Sequence, residues 1–311
     1  MMIPRNHTIS PFFTIITPSF NQGRYIRRTI ESVLSQGVED VEYLIFDGGS
    51  SDETVSILES FGDSVQWISE PDRGQAHAVN KGLSAAKGEV IGWLNSDDIY
   101  YPNALPTVRT FLERHPEVEV LYGEANHIDE NDEILERYYT EGWNYERLKD
   151  ICYICQPSVF LRRGIVQKYG LLDLNLRYCM DYEYWLRLGQ GIQFVRLSQT
   201  LAGSRMYRDN KTLKHRSAVH AEINHMLKKR LGKTPTRWIY NYAFAVVDSK
   251  NYHRAEPKKY VWTLIGSLFV AYLRWRYKIP RSAVKAAINW LYQSFRAGSE
   301  LGIPECIERG A

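Results

Sequence analysis

Between residues 12 and 129 the chain alternates short β-prone segments with segments of helical periodicity, and this alternation limits it to α/β folds. The predicted strands are 12–17, 41–46, 65–68, 88–94 and 118–123. The clearest predicted helices lie between them, at 25–36 and 75–86. Repeated strand–helix–strand spacing predicts a mostly parallel central sheet flanked by helices, with right-handed crossovers. The first strand is followed by neither Gly-x-Gly-x-x-Gly nor a Walker-type lysine loop, which argues against a dehydrogenase or a P-loop enzyme.

Two adjacent carboxylates, Asp97 and Asp98, follow the predicted strand 88–94 in the sequence Asn-Ser-Asp-Asp. Parallel α/β sheets bind ligands at the carboxyl ends of their strands, so these acids are expected at the rim of a site. Hard divalent cations prefer a few carboxylates together with substrate phosphate oxygens, which predicts a metal–diphosphate site. The alternative is an Asx-turn or a helix cap, since Asn, Ser and Asp favour both. Pro102 is expected in the first turn of the helix that follows.

Polar clusters follow the other N-terminal strands as well, at 17–21, 47–52 and 70–74. One such cluster is ordinary loop chemistry. Because the carboxyl ends of parallel strands meet at one edge of a sheet, four clusters together predict a cleft.

The order and content of these clusters resemble the inverting family 2 glycosyltransferases, whose nucleotide-sugar-binding fold is called GT-A. The matching pieces are Thr17-Pro18-Ser19-Phe20-Asn21, Asp47-Gly48-Gly49-Ser50-Ser51-Asp52, Asp72-Arg73-Gly74-Gln75 leading to Asn80-Lys81-Gly82, Asn95-Ser96-Asp97-Asp98, and Asp181-Tyr182-Glu183 before Trp185-Leu186. The likeness is specific because five motifs occur in order at suitable spacing. It implies an α/β domain of GT-A type over residues 1–230, followed by a helical, aromatic and basic extension over 231–311.

The resemblance implies that a nucleotide-diphosphate sugar, with a UDP-sugar favoured, is held by residues of the first four motifs. These donor-binding residues are Thr17, Pro18, Phe20, Asp47, Arg73, Asn80 and Asp97. Asp47 is expected to accept a hydrogen bond from a base imide N–H; the alternative is a turn-forming aspartate before two glycines. The planar guanidinium of Arg73 suits phosphate or base carbonyl oxygens. The alternative for Arg73 is a surface salt bridge with Asp72 or Glu70.

The resemblance also implies a divalent cation, Mg²⁺ or Mn²⁺, at the acidic motif. It assigns Asp98 to the cation that bridges the two phosphates, and Asp97 to the ribose and the metal together. Such a cation neutralises the charge that builds on a departing diphosphate. Asn95 and Ser96 are expected to form the turn.

Inversion at an anomeric carbon needs a base for the proton of the acceptor hydroxyl, and a carboxylate suits this task. The resemblance nominates Asp181 as that catalytic base, with Glu183 as the second choice. The alternative is that both acids cap the start of the helix predicted at 180–188. Gln156 is expected to line the acceptor side. Arg208 or Lys211 is expected to contact the diphosphate, with His215 and His220 as alternatives and a solvated charged face as the simpler reading.

Charge is distributed unevenly, because residues 1–200 carry a net charge of −11 and residues 201–311 a net charge of +14. A basic segment on an acidic body is typical of proteins with an anionic partner, either nucleic acid or a membrane surface. The run 261–273 is neutral and lies between basic, aromatic flanks, but it is shorter than the ~20 residues that a bilayer-spanning helix needs. It is expected either to lie in a membrane interface or to pack on the catalytic domain or a second copy. Four cysteines are too few for a disulfide scaffold and are expected to be reduced.

Together these features predict an inverting glycosyltransferase of cell-surface polysaccharide or glycolipid synthesis. It is expected in the cytoplasm, at the inner membrane face, with a glycan or lipid-linked acceptor and without nucleic acid. One rival is a sugar nucleotidyltransferase, disfavoured because Arg24 is the only basic residue of the loop after the first strand. The other is a non-catalytic nucleotide-sugar-binding or scaffold protein, disfavoured by the presence of both Asp98 and Asp181.

Overall fold

The computed structural model describes residues 10–207, 209–250 and 256–296, which form two compact units. The first unit contains residues 10–145 and 153–207, and the second contains 146–152 and the described residues from 209 onward. The units therefore divide after Tyr207, whereas the resemblance predicts a boundary at residue 230. The difference arises because the helix Arg216–Leu231 packs against the helix Thr236–Ser249, within the second unit.

A nine-stranded sheet forms the centre of the first unit in the described part of the chain. Its strands are β1 (Phe13–Ser19), β2 (Val41–Asp47), β3 (Gln66–Ser69), β4 (Val90–Trp93), β5 (Ile99–Tyr100), β6 (Val120–Ile128), β7 (Ile134–Arg137), β8 (Val159–Arg162) and β9 (Val195–Arg205). Their order is β3-β2-β1-β4-β8-β6-β9-β5, with β7 beside β6. All seven residues of β1 are buried, as expected of a strand covered on both faces.

The sheet has a parallel half and a mixed half. Strands β3, β2, β1 and β4 are parallel, as the repeated spacing predicts. Strand β8 then lies antiparallel between β4 and β6, while β6 and β9 pair in parallel. The carboxyl ends of β1, β2, β3 and β4 consequently meet at one edge, and each of the four polar clusters follows one of these strands.

Helices flank the sheet and build the second unit. They are α1 (Gly23–Leu34), α2 (Thr54–Ser60), α3 (Gln75–Ala85), α4 (Ala104–Arg114), α5 (Tyr145–Asp150), α6 (Gly164–Tyr169), α7 (Met180–Leu188), α8 (Lys211–Lys214), α9 (Arg216–Leu231), α10 (Thr236–Ser249), α11 (Pro257–Trp275) and α12 (Arg281–Arg296). In α1 the buried residues Ile26, Ile30 and Val33 recur every three or four positions, which places one apolar stripe against the sheet.

The chain after Asp98 differs from its prediction. Instead of entering a helix at Pro102, it forms the short strand β5, which pairs antiparallel with β9, and α4 begins only at Ala104. Tyr100 is buried in β5 and stacks on Phe160 with ring centroids 5.6 Å apart. Burial of this ring favours a strand at a point where the local sequence also permits a helix.

The second unit has an aromatic core. Tyr260, Leu264, Tyr272 and Trp275 of α11 are buried with residues of α10 and α12. Another face of α11 leaves large apolar side chains exposed: Trp262, Phe269, Val270 and Leu273. No helix in the described ranges is long and apolar enough to cross a membrane.

Candidate active site

Asp97 and Asp98 lie in a tight turn at the carboxyl end of β4. The Asp98 N–H donates to the Asn95 carbonyl over 3.1 Å, so the predicted turn is present together with the two carboxylates. Asp98 is 3% exposed, and its Oδ1 accepts the Arg205 N–H over 2.9 Å while its Oδ2 accepts Asn95 Nδ2 over 3.1 Å. Asp97 is half-buried, and its Oδ2 accepts the Tyr207 hydroxyl over 3.0 Å. Asp97 is therefore the more accessible acid.

A buried arginine holds this turn in place. The Arg205 side chain is 1% exposed; its Nε donates to the Asp97 carbonyl over 2.7 Å and its Nη1 to the Asp129 carbonyl over 2.6 Å. Its Nη2 pairs with the Asp132 carboxylate. Its guanidinium also lies 4.8 Å from the centre of the Tyr25 ring. Strand β9 thus supplies both a backbone donor and a side chain that fix the acidic turn.

Burial and mutual repulsion dominate the electrostatics of the acidic pair. Burial raises the pKa of Asp97, although the Tyr207 hydrogen bond opposes the change. Burial, and then the neighbouring charge of Asp97, raise the pKa of Asp98 well above its usual range. The positive charge of Arg205 lowers both pKa values, but it offsets only part of the increase.

Side-chain amides complete the support beneath the turn. Asn95 Nδ2 donates to Gln156 Oε1 over 2.9 Å, and Asn95 Oδ1 accepts Gln75 Nε2 over 2.8 Å. Gln156 Nε2 in turn donates to the Trp93 carbonyl over 2.5 Å, and Gln156 is only 8% exposed. Gln156, predicted on the acceptor side, is therefore a buried link between the ends of β4 and the turn before β8.

Asp47, the predicted base-binding acid, is enclosed by its own loop. Its Oδ2 accepts the Gly49 N–H over 3.1 Å, the Ser50 N–H over 2.8 Å and the Ser69 hydroxyl over 2.6 Å. Its Oδ1 accepts the Ser50 hydroxyl over 2.5 Å, and the residue is 2% exposed. Gly49 has a φ of 82°, in the left-handed region that residues with a side chain rarely adopt, so a substitution here would strain the backbone. The turn-forming role considered for Asp47 is thus present in the structure.

Phe20, Gly48 and Asp72 lie close together at this edge, and Phe20 is the exposed residue among them. Phe20 is 60% exposed. A Cβ atom built on Gly48 would lie 3.2 Å from Asp72 Oδ2 and 3.2 Å from Phe20 Cδ2. Arg73 is exposed beside them, and within the described ranges its side chain forms no salt bridge with Asp72 or with Glu70, which pairs with Lys81.

Three other predicted donor residues have structural partners. Thr17 is fully buried and its hydroxyl is 3.1 Å from that of Tyr43, while Pro18 is buried in β1. Asn80 is 7% exposed; its Nδ2 donates to the Leu172 carbonyl over 3.0 Å and its Oδ1 accepts the Leu172 N–H over 2.9 Å. Asn80 therefore joins α3 to the segment that leads into α7.

Helix α7 carries the two acids predicted for catalysis. Asp181 is half-buried in its first turn. Glu183 is 4% exposed, and its Oε2 pairs with Arg187 Nη2 over 2.9 Å. Arg187 also donates to the carbonyl of Tyr169 over 2.6 Å, so Glu183 belongs to the contacts that anchor α7. Asp181 is left as the more accessible of the two carboxylates.

The basic residues predicted after β9 fall elsewhere. Arg208 lies outside the described residues. Lys211 is exposed in α8 of the second unit. His220 is 4% exposed in α9, where its ring lies 6.1 Å from that of Trp238. Burial, and then the charge of Arg216, lower the pKa of His220 to about 4, as expected of a core histidine.

The side chains near the acidic turn show what kind of cation site could form there. Within the described ranges, no group of three or more His, Cys, Asp or Glu side chains is placed to hold a metal ion. Magnesium-like ions, however, commonly use one or two carboxylates and take their other ligands from water and substrate phosphates. The Asp97–Asp98 pair fits this substrate-completed arrangement and does not fit an all-protein cage.

Sequence reasoning missed Arg205 and Tyr207 as parts of this site. Both belong to a stretch interpreted as a basic, polar surface. The available signal was a charged residue at the end of a β-prone segment, two positions after the buried run 201–203. Tyr207 directly precedes Arg208, which was predicted to contact the diphosphate, and the Tyr207 hydroxyl donates to Asp97.

Comparison with known sequences identifies relatives over this region. A protein-family model, Glycosyl transferase family 2, matches residues 14–170. An uncharacterised glycosyltransferase of Rickettsia prowazekii is 29% identical over 227 residues, covering 70% of this chain and 67% of that protein. A PGL/p-HBAD biosynthesis glycosyltransferase of Mycobacterium bovis is 28% identical over 187 residues, covering 57% of this chain and 70% of that protein. In three further Rickettsia relatives the match covers 60%, 44% and 31% of the relative.

Solved structures share the fold at low sequence identity. S. aureus TarS in complex with UDP-GlcNAc has a TM-score of 0.57 and 14% identity, covering 92% of each chain. The mannosyltransferase PcManGT from Pyrobaculum calidifontis, in complex with GDP-Man and Mn²⁺, has a TM-score of 0.57 and 15% identity, covering 93% of this chain and 81% of that one. These likenesses confirm the predicted GT-A type of α/β fold. With the family match over residues 14–170, about half of the sequence, this chain belongs to glycosyltransferase family 2.

Proposed function

We propose that this chain transfers a glycosyl group from a nucleotide-diphosphate sugar to a hydroxyl acceptor with inversion at the anomeric carbon. The observation that carries the proposal is the acidic turn, where Arg205 and Asn95 hold Asp98 inside and leave Asp97 accessible at the sheet edge. A second accessible carboxylate, Asp181, begins α7. Family membership supports this assignment of the motifs.

In the proposed reaction the acceptor oxygen forms a bond to the anomeric carbon. The bond from that carbon to the diphosphate oxygen breaks, and its electron pair leaves with the nucleoside diphosphate. Asp181 takes the proton of the acceptor hydroxyl, the role of a general base. Glu183 instead positions α7 through Arg187.

Asp97 is the residue proposed to hold a divalent cation directly, with Asp98 behind it. This reverses the order expected from the motif, because both Asp98 oxygens already accept hydrogen bonds within the chain. When bound, the cation supplies positive charge that stabilises the departing diphosphate. The Mn²⁺ in the PcManGT complex supports this choice of metal.

A transfer assay with a panel of UDP-, GDP-, CDP- and dTDP-sugars tests the proposal. Asp97→Asn and Asp181→Asn are expected to abolish turnover, and the wild-type product is expected to have the inverted anomeric configuration by NMR. Glu183→Gln is the matched control, expected to lower stability more than turnover. Full turnover in both Asp97→Asn and Asp181→Asn would exclude the mechanism.

We further propose that the second unit brings the enzyme to an anionic membrane surface that carries a lipid-linked acceptor. The exposed apolar side chains of α11 lie in a region of net charge +14. The second unit also contains an open cavity of about 810 Å³ with five basic lining residues, Arg147, Lys149, Lys233, Arg237 and Arg276. Apolar side chains beside basic ones are typical of helices at anionic membrane interfaces. The mycobacterial relative, named for PGL/p-HBAD biosynthesis, supports a role in surface glycolipid or polysaccharide assembly.

Vesicle sedimentation tests the membrane proposal. The protein is expected to bind phosphatidylglycerol vesicles at low salt and to bind phosphatidylcholine vesicles much less. The double variant Trp262→Ser with Phe269→Ser is expected to lose this binding, because both side chains are more than half exposed and contribute little to the core. Exposed Ile134→Ser in β7 is the control. Absence of wild-type binding to anionic vesicles would refute the proposal.

A further inference from the structure

The acid that the family resemblance assigns to base recognition is buried and already accepts hydrogen bonds on both of its oxygens. Asp47 accepts four hydrogen bonds from its own loop and from Ser69. A carboxylate offers about four lone-pair sites. Asp47 is also 2% exposed, so a base would have to displace internal partners to reach it. Its chemistry here is that of a turn-forming residue.

Asp72 offers what Asp47 lacks. Its Oδ1 accepts the Gly74 N–H over 2.6 Å, which fixes the orientation of the carboxylate. Its Oδ2 accepts no hydrogen bond from any described residue and lies beside Gly48, 3.2 Å from the point where a Cβ would stand. The exposed Phe20 ring approaches the same point equally closely. Because Gly48 has no side chain, an exposed aromatic ring and an oriented acceptor both come close to its backbone.

We propose that Asp72 is the residue that reads the donor base, with the base lying on Gly48 against Phe20. This inference rests on the proposed function and specifies its substrate class. A carboxylate oxygen accepts hydrogen bonds and cannot donate them when ionised. It therefore selects bases with an imide N–H, namely uracil, thymine and guanine, over cytosine and adenine, which present an acceptor at that position.

The substitution Asp72→Asn is expected to reverse this preference for bases with an imide N–H. In Asp72→Asn the amide oxygen can keep the bond from Gly74, which leaves the NH₂ group in place of Oδ2. A donor there opposes the uracil N3–H and matches the cytosine N3 acceptor. The affinity for UDP is expected to fall about ten- to a hundredfold, the range for a hydrogen bond to a charged group, while the affinity for CDP rises.

Isothermal titration of UDP and CDP in the presence of Mn²⁺ tests the inference, using the full chain. Asp63→Asn is the matched control, because Asp63 precedes β3 and Asp72 follows it, at the opposite edge of the sheet. Gly48→Ala is a second variant: its Cβ would intrude between Phe20 and Asp72 and weaken both nucleotides, without backbone strain, since its φ is outside the left-handed region.

The possible results of the titration distinguish this inference from the proposed function. A reversed UDP/CDP ratio in Asp72→Asn, with Asp63→Asn unchanged, supports the inference. An unchanged ratio in Asp72→Asn, or a reversal confined to Asp47→Asn, overturns it and leaves the proposed function intact. Failure of the wild-type protein to bind UDP, CDP, GDP or dTDP in the same titration would overturn the proposed function and this inference together. Thermal unfolding of each variant separates lost binding from lost folding.

Discussion

The two units of the chain use their interiors differently. At the carboxyl edge of the sheet, the first unit buries charged and polar groups such as Asp47, Asp98 and Arg205, each with several internal partners. The second unit buries aromatic and aliphatic side chains such as Trp238 and Trp275 and leaves its positive charge outside. Buried polar networks define geometry at a cost in desolvation, whereas apolar cores mainly supply stability. A substrate site is therefore expected in the first unit, and substitutions can test that contrast.

The largest effect is expected from Arg205→Met. The substitution removes the guanidinium that holds the Asp97 and Asp129 carbonyls and the Asp132 carboxylate. Loss of one partner of a buried charged network typically costs about 3–5 kcal/mol, so both stability and turnover are expected to fall. Chemical denaturation and the transfer assay measure them.

Arg24→Met is the control for that experiment, because Arg24 is exposed and pairs with the exposed Glu130. A surface pair is worth about 0–1 kcal/mol. Equal losses in the two variants would contradict a special role for the buried arginine.

Trp275→Ala is expected to destabilise the second unit without altering the candidate active site of the first. The Trp275 ring is fully buried and contacts His225 and Tyr242, both in the second unit. Truncation of a buried tryptophan costs about 3–5 kcal/mol. The free energy of unfolding is expected to fall while the folded protein keeps its affinity for UDP. A large loss of UDP affinity in the folded Trp275→Ala protein would contradict the proposed contrast between the units.

His220 gives the second unit a pH dependence. Burial and Arg216 lower its pKa to about 4 in the folded state, below the usual 6.5, so the unfolded chain binds the proton more tightly. Its contribution is complete above pH 6.5 and decreases as the pH falls toward 4, by on the order of 3 kcal/mol. The difference in unfolding free energy between the wild type and His220→Gln, measured at pH 7.5 and pH 4.5, is expected to shrink at the lower pH. A pH-independent difference would contradict the shift.

The smallest effect is expected from Tyr207→Phe. This change removes one hydroxyl that donates to Asp97 over 3.0 Å and keeps the ring that packs 4.9 Å from Tyr25. A hydrogen bond to a charged group contributes about 1.5–3 kcal/mol, so the loss of stability is expected to be smaller than in Arg205→Met. The affinity for Mn²⁺–UDP is expected to change severalfold, which titration calorimetry measures. A complete loss of binding would assign Tyr207 a direct role in holding the donor.

Local patterns in the sequence predict the parts of this molecule that depend on local physics. Helix α7, Met180–Leu188, follows from its acidic first turn and apolar later positions, and the parallel strands β1–β4 follow from the repeated strand–helix spacing. The antiparallel insertion of β8 does not, because strand pairing is decided by residues far apart in the chain. For the same reason the partners of Asp47 and Arg205 were missed: Ser69 is 22 positions from Asp47, and Asp129 is 76 positions from Arg205. Residue types at the site can be read from the motifs, but which oxygens remain accessible depends on these distant contacts.

The hydrogen bond from the Arg205 amide to Asp98 has a practical consequence. Most strand amides donate to a carbonyl, whereas this one donates to a carboxylate oxygen at the centre of the acidic turn. Bonds to an ionised acceptor are shorter and stronger, so the chemical shift and the exchange rate of this one proton depend on the state of the carboxylate. In a ¹⁵N-labelled sample, the Arg205 amide resonance therefore reports the state of the Asp98 carboxylate. It should move when an ion or a diphosphate enters the turn, before any product is formed.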